Sequence, residues 1–406
     1  MRRPETRRAA ENEIVKLSHR LETIKPSSTL AMTAKVLELK AQGREVIGFA
    51  AGEPDFDTWP HICDAAREAI RRGDFRYTAV GGTPELKTAI AKKLVSDNGL
   101  EYSAAEITAS CGGKQALYNA MQALLDEGDE VVIPGPYWVS YVDIAVLAGG
   151  KPRVVMAAEE NGFKLKPAEL AKAIGRSTKL LIINSPCNPT GATYSNAELR
   201  ELAAVLREYE GWLLTDDVYE FVRYDGERPM HLVALEPSLR DRTLVVNSVS
   251  KTYAMTGWRI GYAAGPTELI KGMATIQGQS TSNPTAIAQA AAAAALSGPQ
   301  DLVKPMVEEF KRRRDYVCKR INSISGLSVV VPEGAFYVFV NVGGVLKKTG
   351  CKDGDGLAYA LLEGAGVGLV GGNDFGSANH VRISYATSME QLQRGLDSIE
   401  SWLARF

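Results

Sequence analysis

Residues 180–184 read Leu-Leu-Ile-Ile-Asn and residues 212–215 read Trp-Leu-Leu-Thr, with the run from Ala197 to Glu208 between them. The two outer runs are short, aliphatic and unbroken, so they suit strands covered on both faces. The middle run returns its apolar side chains at helical spacing. Strand, helix and strand in that order make a parallel crossover unit. Working outward, the same alternation extends from about Ile107 to Gly265. Further strands are expected at Ile107 to Ser110, Glu130 to Ile133, Thr243 to Asn247 and Arg259 to Ala263, and another helix at Gln115 to Leu125. Five of the six strands are aliphatic on both faces. The pattern predicts a doubly wound α/β core around a mostly parallel sheet.

From Glu308 the texture changes. A charged helix (Glu308 to Ile321), two hairpin-like strands (Leu327 to Val331 and Ala335 to Val340) and a last helix from Met389 to Leu403 predict a smaller α+β domain. Its loops fall at Gly343-Gly344, Gly354 to Gly356 and Gly371-Gly372. The segment Thr33 to Gly52 reads as a helix followed by one strand and is expected to return to that domain. The alanine run Ala290 to Ala295 is a helix, since alanine is the strongest helix former. No internal repeat is visible.

Composition removes several function classes. With 45% hydrophobic and 23% charged residues, the 406-residue chain can bury a large core and is not disordered. Forty-seven basic against 48 acidic residues leave a formal charge of -1, so nothing electrostatic argues for nucleic acid as a partner. Five cysteines without a C-x-x-C pair fit a reducing compartment, with neither zinc nor a disulfide framework. No apolar run approaches a bilayer span, so no membrane partner is expected. Met1 to Arg20 carries arginines at 2, 3, 7 and 8 alongside Glu5, Glu11 and Glu13, with no apolar run after them. That is not a secretory signal. A cytoplasmic location is expected, with an organelle stroma as the alternative if the basic start is a transit remnant.

The chemistry concentrates in Ser248-Val249-Ser250-Lys251-Thr252-Tyr253-Ala254-Met255-Thr256-Gly257-Trp258-Arg259-Ile260-Gly261. A lysine just beyond a strand is bracketed by small hydroxyls, with an arginine eight positions on, at the start of the next expected strand. Hydroxyls and a guanidinium fork can bind a phosphate. The amine can then form a Schiff base with an aldehyde cofactor. Alone, S-x-S-K is an ordinary loop lysine; the block as a whole is not.

This block resembles the pyridoxal-phosphate lysine motif of class I/II aminotransferases. Six other segments resemble the family in the expected order: Ala51–Thr58, Gly112–Leu117, Pro136–Tyr141, Asn188–Gly191, Thr215–Glu220 and Val381–Ala386. The resemblance runs from about Leu17 to the C-terminus and is strongest to the aspartate aminotransferase subgroup called type Ib, some members of which use prephenate. It implies fold-type I, a mostly parallel seven-stranded sheet sandwiched by helices, with a smaller α+β domain made from both chain ends. The implied division is an arm over 1–30, a small domain from 31–62 with 305–406, and a large cofactor domain over 63–304.

The resemblance also implies roles. Lys251 would carry pyridoxal 5'-phosphate as a Schiff base and shuttle the substrate proton, and Asp216 would keep the ring nitrogen protonated. An Asp ending a strand can instead cap the next helix, a role that suits Asp217 better. Tyr219 and Asn188 would bond the cofactor's phenolic oxygen. Gly113 and Lys114, at a helix start, would bind the phosphate together with Ser248 and Arg259. Trp138 would stack on the ring, although an aromatic there also suits plain core. Tyr77 would reach the phosphate of a neighbouring subunit, which makes a homodimer with shared sites.

On the substrate side, Arg382 in an apolar strand is costly unless it meets an anion. The resemblance assigns it the α-carboxylate, with Gly52, Trp138 and Asn188 beside it. No Lys or Arg occurs between Lys271 and Lys304, so the second cation that some relatives draw from that segment is missing. Lys114, with Thr29 as a hydroxyl helper, is the remaining candidate for a distal carboxylate; a solvated helix-start lysine is the alternative. The expected reaction moves the amino group between aspartate or glutamate and 2-oxoglutarate or oxaloacetate by a ping-pong route, with prephenate as a further acceptor. The alternatives are a different, aromatic or specialised, substrate preference and a lyase on the same fold. Gly366 to Gly371 is formally G-x-G-x-x-G, but no helix pattern follows it.

Overall fold

The computed structural model describes residues 17–226 and 229–406. The arginine-rich start over 1–16, with its targeting reading, lies outside them.

Seven strands form the central sheet, in the order Ile107–Ser110, Gly261–Ala264, Thr243–Ser248, Trp212–Asp216, Thr178–Asn184, Glu130–Gly135 and Lys151–Met156. Only Gly261–Ala264 runs antiparallel to its neighbours; the other pairings are parallel. Every residue of Ile107–Ser110, Thr243–Ser248 and Gly261–Ala264 is buried, as the aliphatic runs require. The sheet contains one strand the sequence reading passed over. Lys151–Met156 has a single neighbour, and its Lys-Pro-Arg-Val-Val-Met sequence is largely exposed, so it lacks the aliphatic signature.

Helices cover both faces. Gly113–Leu124 and Thr267–Gly278 pack together on one side, and Asn196–Leu206 belongs to an apolar cluster with Leu181, Ile183 and Leu213 on the other. The alanine-rich helix, Ala286–Ser297, packs against Pro60–Arg72 and Pro84–Asn98. Its small side chains let the helices approach closely, with Ala291, Ala292 and Ala295 fully enclosed.

A second sheet is antiparallel, in the order Val370–Gly371, His380–Ser384, Tyr337–Asn341, Ser328–Val329. The long helix Val303–Ser323 and the final helix Met389–Leu403 pack in its layer. Ser388 caps the final helix by accepting from the Gln391 N–H, which places its start where the sequence predicted. Ile47–Gly48 pairs in parallel with Val367–Gly368, so an early segment does join the late part of the chain. The helix before it starts at Ser28 rather than Thr33, because Ser27 caps it. Tyr219, Val222 and Tyr224, which come after the central strand Trp212–Asp216, insert into the core of this second sheet.

Candidate active site

A cavity of about 340 Å³ lies where the carboxyl ends of the central strands meet the second sheet. Twelve of the thirteen residues singled out in the sequence line it, the exception being Tyr77. Tyr77 is 91% exposed on the surface and has no part in the cavity.

Thr243–Ser248 ends at the cavity floor, and Lys251 sits in the turn after it. The Lys251 amine donates to the Gly52 carbonyl at 2.5 Å. Burial draws this amine down to about 8, against an opposing pull from Glu53. A neutral amine is therefore accessible near physiological pH, as a nucleophile or base needs.

Asp216 ends the neighbouring strand and is only 4% exposed. It accepts from the Tyr141 hydroxyl at 2.6 Å and from the Val218 N–H at 3.4 Å, while Asn184 holds its carbonyl at 2.8 Å. Burial pushes the carboxyl up to about 6; the Tyr141 hydrogen bond opposes the rise. Its neighbour Asp217 turns away from the cavity to His231 and the Thr215 hydroxyl. The alternation of a strand thus separates the two acids. No helix comes directly after Asp217 for it to cap.

An anion cradle forms at one end. Gly112 holds φ at +87°, and the helix Gly113–Leu124 begins there with the Gly113 and Lys114 N–H groups free of acceptors among the described residues. A Cβ at Gly112 would lie 2.2 Å from the Arg259 guanidinium, so only glycine lets the arginine lie against the loop. Gly261 has the same function in the strand beside it, where a Cβ would meet the Gly113 nitrogen at 2.2 Å. Arg259 donates to the carbonyls of Thr256 (2.8 Å) and Cys111 (3.3 Å) and has no carboxylate partner among the described residues. It precedes the strand rather than starting it, in a left-handed turn at φ 56°. Ser248 and Ser250 complete this end, the Ser248 hydroxyl accepting from the Ser250 N–H.

At the other end, Arg382 occupies the central strand His380–Ser384 and is 1% exposed. Its guanidinium lies between the Tyr337 and Phe375 rings, 4.5 and 5.1 Å from their centroids. It donates to Asn188 Oδ1 at 3.0 Å and the Ala50 carbonyl at 2.7 Å, and its Nε has no acceptor. Among the described residues no carboxylate pairs with it, so a structural ion pair does not account for its burial. Asn188 is fixed from behind by its own N–H on Asn184 Oδ1, at 3.0 Å.

Trp138 is half-buried, edge-on to Tyr141, with the Lys114 amine 4.9 Å from its ring centroid. Partial desolvation and then Arg259 bring that amine below the usual lysine range. Thr29 stands in the first turn of Ser28–Ala41, at the cavity wall. A phosphate-bearing aldehyde fits this donor set: among the described residues, a cation without a carboxylate partner and free N–H groups at one end, a depressed amine and a buried acid, and a second such cation at the other end.

The sequence profile described as "Aminotransferase class I and II" matches residues 44–399. The chain belongs to this family. Among curated relatives, it is 52% identical to the aspartate/prephenate aminotransferase of Cereibacter sphaeroides, over 96% of this chain and 98% of that one. It is 47% identical to the aspartate aminotransferase of Geobacillus stearothermophilus, over 96% and 99%. The crystal structure of the aspartate aminotransferase from Rhizobium meliloti superposes with a TM-score of 0.92 at 48% identity, covering 96% of this chain and 99% of that one. The fold is accordingly fold-type I, and the chain is an aminotransferase.

Among the cavity residues without a role in the sequence analysis are Tyr141, Asn184 and Tyr337. Tyr141 lies inside the quoted segment Pro136–Tyr141, but its hydrogen bond to Asp216 spans 75 positions and leaves no local trace. Asn184 reads as the polar end of one strand and Tyr337 as an interior residue of the expected strand Ala335 to Val340, which in the structure begins at Tyr337.

Proposed function

We propose that this aminotransferase binds pyridoxal 5'-phosphate and moves the amino group between aspartate or glutamate and 2-oxoglutarate or oxaloacetate, with prephenate as a further acceptor. The observation that carries the reading is the pair of arginines without carboxylate partners among the described residues, Arg259 and Arg382, in one cavity with the Lys251 amine and Asp216. The cofactor supplies an aldehyde to accept the amino group and a protonated ring to take up the electrons released at the α-carbon.

The chain supplies the rest. Gly113, Lys114, Ser248 and Arg259 hold the phosphate, and Asp216 faces the ring nitrogen, steadied by Tyr141. Trp138 covers the ring, and Tyr219 and Asn188 donate to its oxygen. Arg382 clamps the substrate α-carboxylate, which fixes where the α-hydrogen points. Lys251 Nζ then removes that proton and later returns one, held within reach by its own tether. Lys114 meets the distal carboxylate with Thr29 beside it. The oxo acid product leaves before the second oxo acid enters, which is a ping-pong cycle.

We further propose a homodimer in which Tyr77 completes the partner's phosphate site, and a division into a small domain (31–62 with 305–406) and a large one (63–304). The location that goes with this reading is cytoplasmic; among the described residues no helix is long and apolar enough to cross a membrane. The test is a half-reaction titration with aspartate, glutamate, arogenate and phenylalanine, read at the cofactor absorbance. Aspartate and glutamate are expected to discharge the chromophore; reaction with phenylalanine alone would overturn the acidic-substrate reading. Reduction with borohydride should leave the adduct on the Lys251 peptide.

A further inference from the structure

Tyr337 begins the strand Tyr337–Asn341, next to the strand that carries Arg382, and is almost wholly enclosed at the cavity wall. Its ring is one of the two faces that hold the Arg382 guanidinium. Its hydroxyl lies 2.8 Å from the Tyr219 hydroxyl. The same oxygen stands 2.9 Å from where a Cβ on Gly52 would be, so it reaches the backbone that receives the Lys251 amine. One phenol therefore touches Arg382, Tyr219 and the Gly52 backbone together.

We infer that Tyr337 is a positioning residue whose hydroxyl donates to Tyr219 and so turns the Tyr219 proton into the cavity, toward the cofactor's phenolic oxygen. The inference rests on the cofactor role proposed above for Tyr219. Each phenol has one proton, and the pair shares one hydrogen bond. If Tyr219 donated to Tyr337, its only proton would be spent inside the wall. With Tyr337 as donor, Tyr219 keeps a proton for the cavity. Two features favour that direction. Tyr337 lies under a guanidinium, which makes its O–H the better donor. Burial raises both phenols and Arg382 opposes the rise at both, but of the two it is Tyr219 that stands well above the ordinary tyrosine range.

A donor to an anionic oxygen stabilises the unprotonated chromophore and lowers its pKa, so losing the donor raises it. The test is a pH titration of the holoenzyme's absorbance in wild type, Tyr337→Phe, Tyr219→Phe and the double variant. Phenylalanine keeps the ring under Arg382, and a wild-type circular dichroism spectrum with full cofactor content verifies that the variants are folded. For Tyr337→Phe the apparent pKa is expected to rise by about half to one pH unit, the size of one net hydrogen bond. Tyr219→Phe should rise further, and the double variant should match Tyr219→Phe. A Tyr337→Phe curve that overlays wild type, falls below it, or adds in full to Tyr219→Phe would overturn the inference. Failure of the cofactor reading looks different, because wild type itself would then show no titrating chromophore.

Discussion

Lys251 and Asp216 are each held where their usual charge is unfavourable. The Lys251 amine is drawn down to about 8 and the Asp216 carboxyl is raised to about 6, in both cases mainly by burial. Each shift corresponds to a cost on the order of 3 kcal/mol at neutral pH in the cofactor-free protein. For the amine, stability is lost below pH 8 and recovers as pH rises toward the unfolded value near 10.5. For the carboxyl, stability is greatest in acid and is lost as pH rises from about 4 through 6. Cofactor-free Lys251→Met is therefore expected to melt a few degrees above wild type at pH 7, and Asp216→Asn likewise at pH 7 but not at pH 4. Differential scanning fluorimetry measures both. Arg382 gives a second prediction at this scale. Arg382→Ala should raise KM for amino acid and oxo acid alike by about 100-fold while the cofactor absorbance stays. Lysine should not restore it, because Asn188 and Ala50 engage separate nitrogens of the fork.

The elements show which parts of the fold and site were legible in sequence. Strands covered on both faces announce themselves as aliphatic runs, and Trp212–Asp216 was bounded to within one residue. Lys151–Met156 was not seen, because an edge strand with exposed Val154 and Met156 has no such run. The block around Lys251 was legible because its parts are neighbours in the chain. The support for Asp216 was not, since Tyr141 and Asn184 come from other elements and meet it only in space. The anion cradle is likewise built by two close approaches, of Arg259 to Gly112 and of Gly261 to Gly113. At Gly261 the near atoms are backbone, which cannot yield as the flexible end of Arg259 could. Gly261→Ala is expected to lose about 2 kcal/mol or more of stability and to bind pyridoxal phosphate at least tenfold more weakly. Denaturant melts and a cofactor titration check the two effects.

At the scale of the molecule, Tyr77 stands 91% exposed, two positions from Phe75, which is exposed as well. A surface that shows two aromatics so close together invites a partner. Sedimentation is expected to give twice the 43.9 kDa chain mass, and Tyr77→Phe to weaken cofactor binding severalfold without dissociating the dimer. A monomer that keeps its cofactor through dilution would contradict both.

The insertion of Tyr219, Val222 and Tyr224 into the second sheet's core ties the two halves of the chain at the site itself. Tyr219 is at once a wall of the cavity and a stone in the neighbouring core. Damage to that core thus reaches the chemistry without any contact with substrate. A ligand held against Tyr219 would therefore lean on both layers at once.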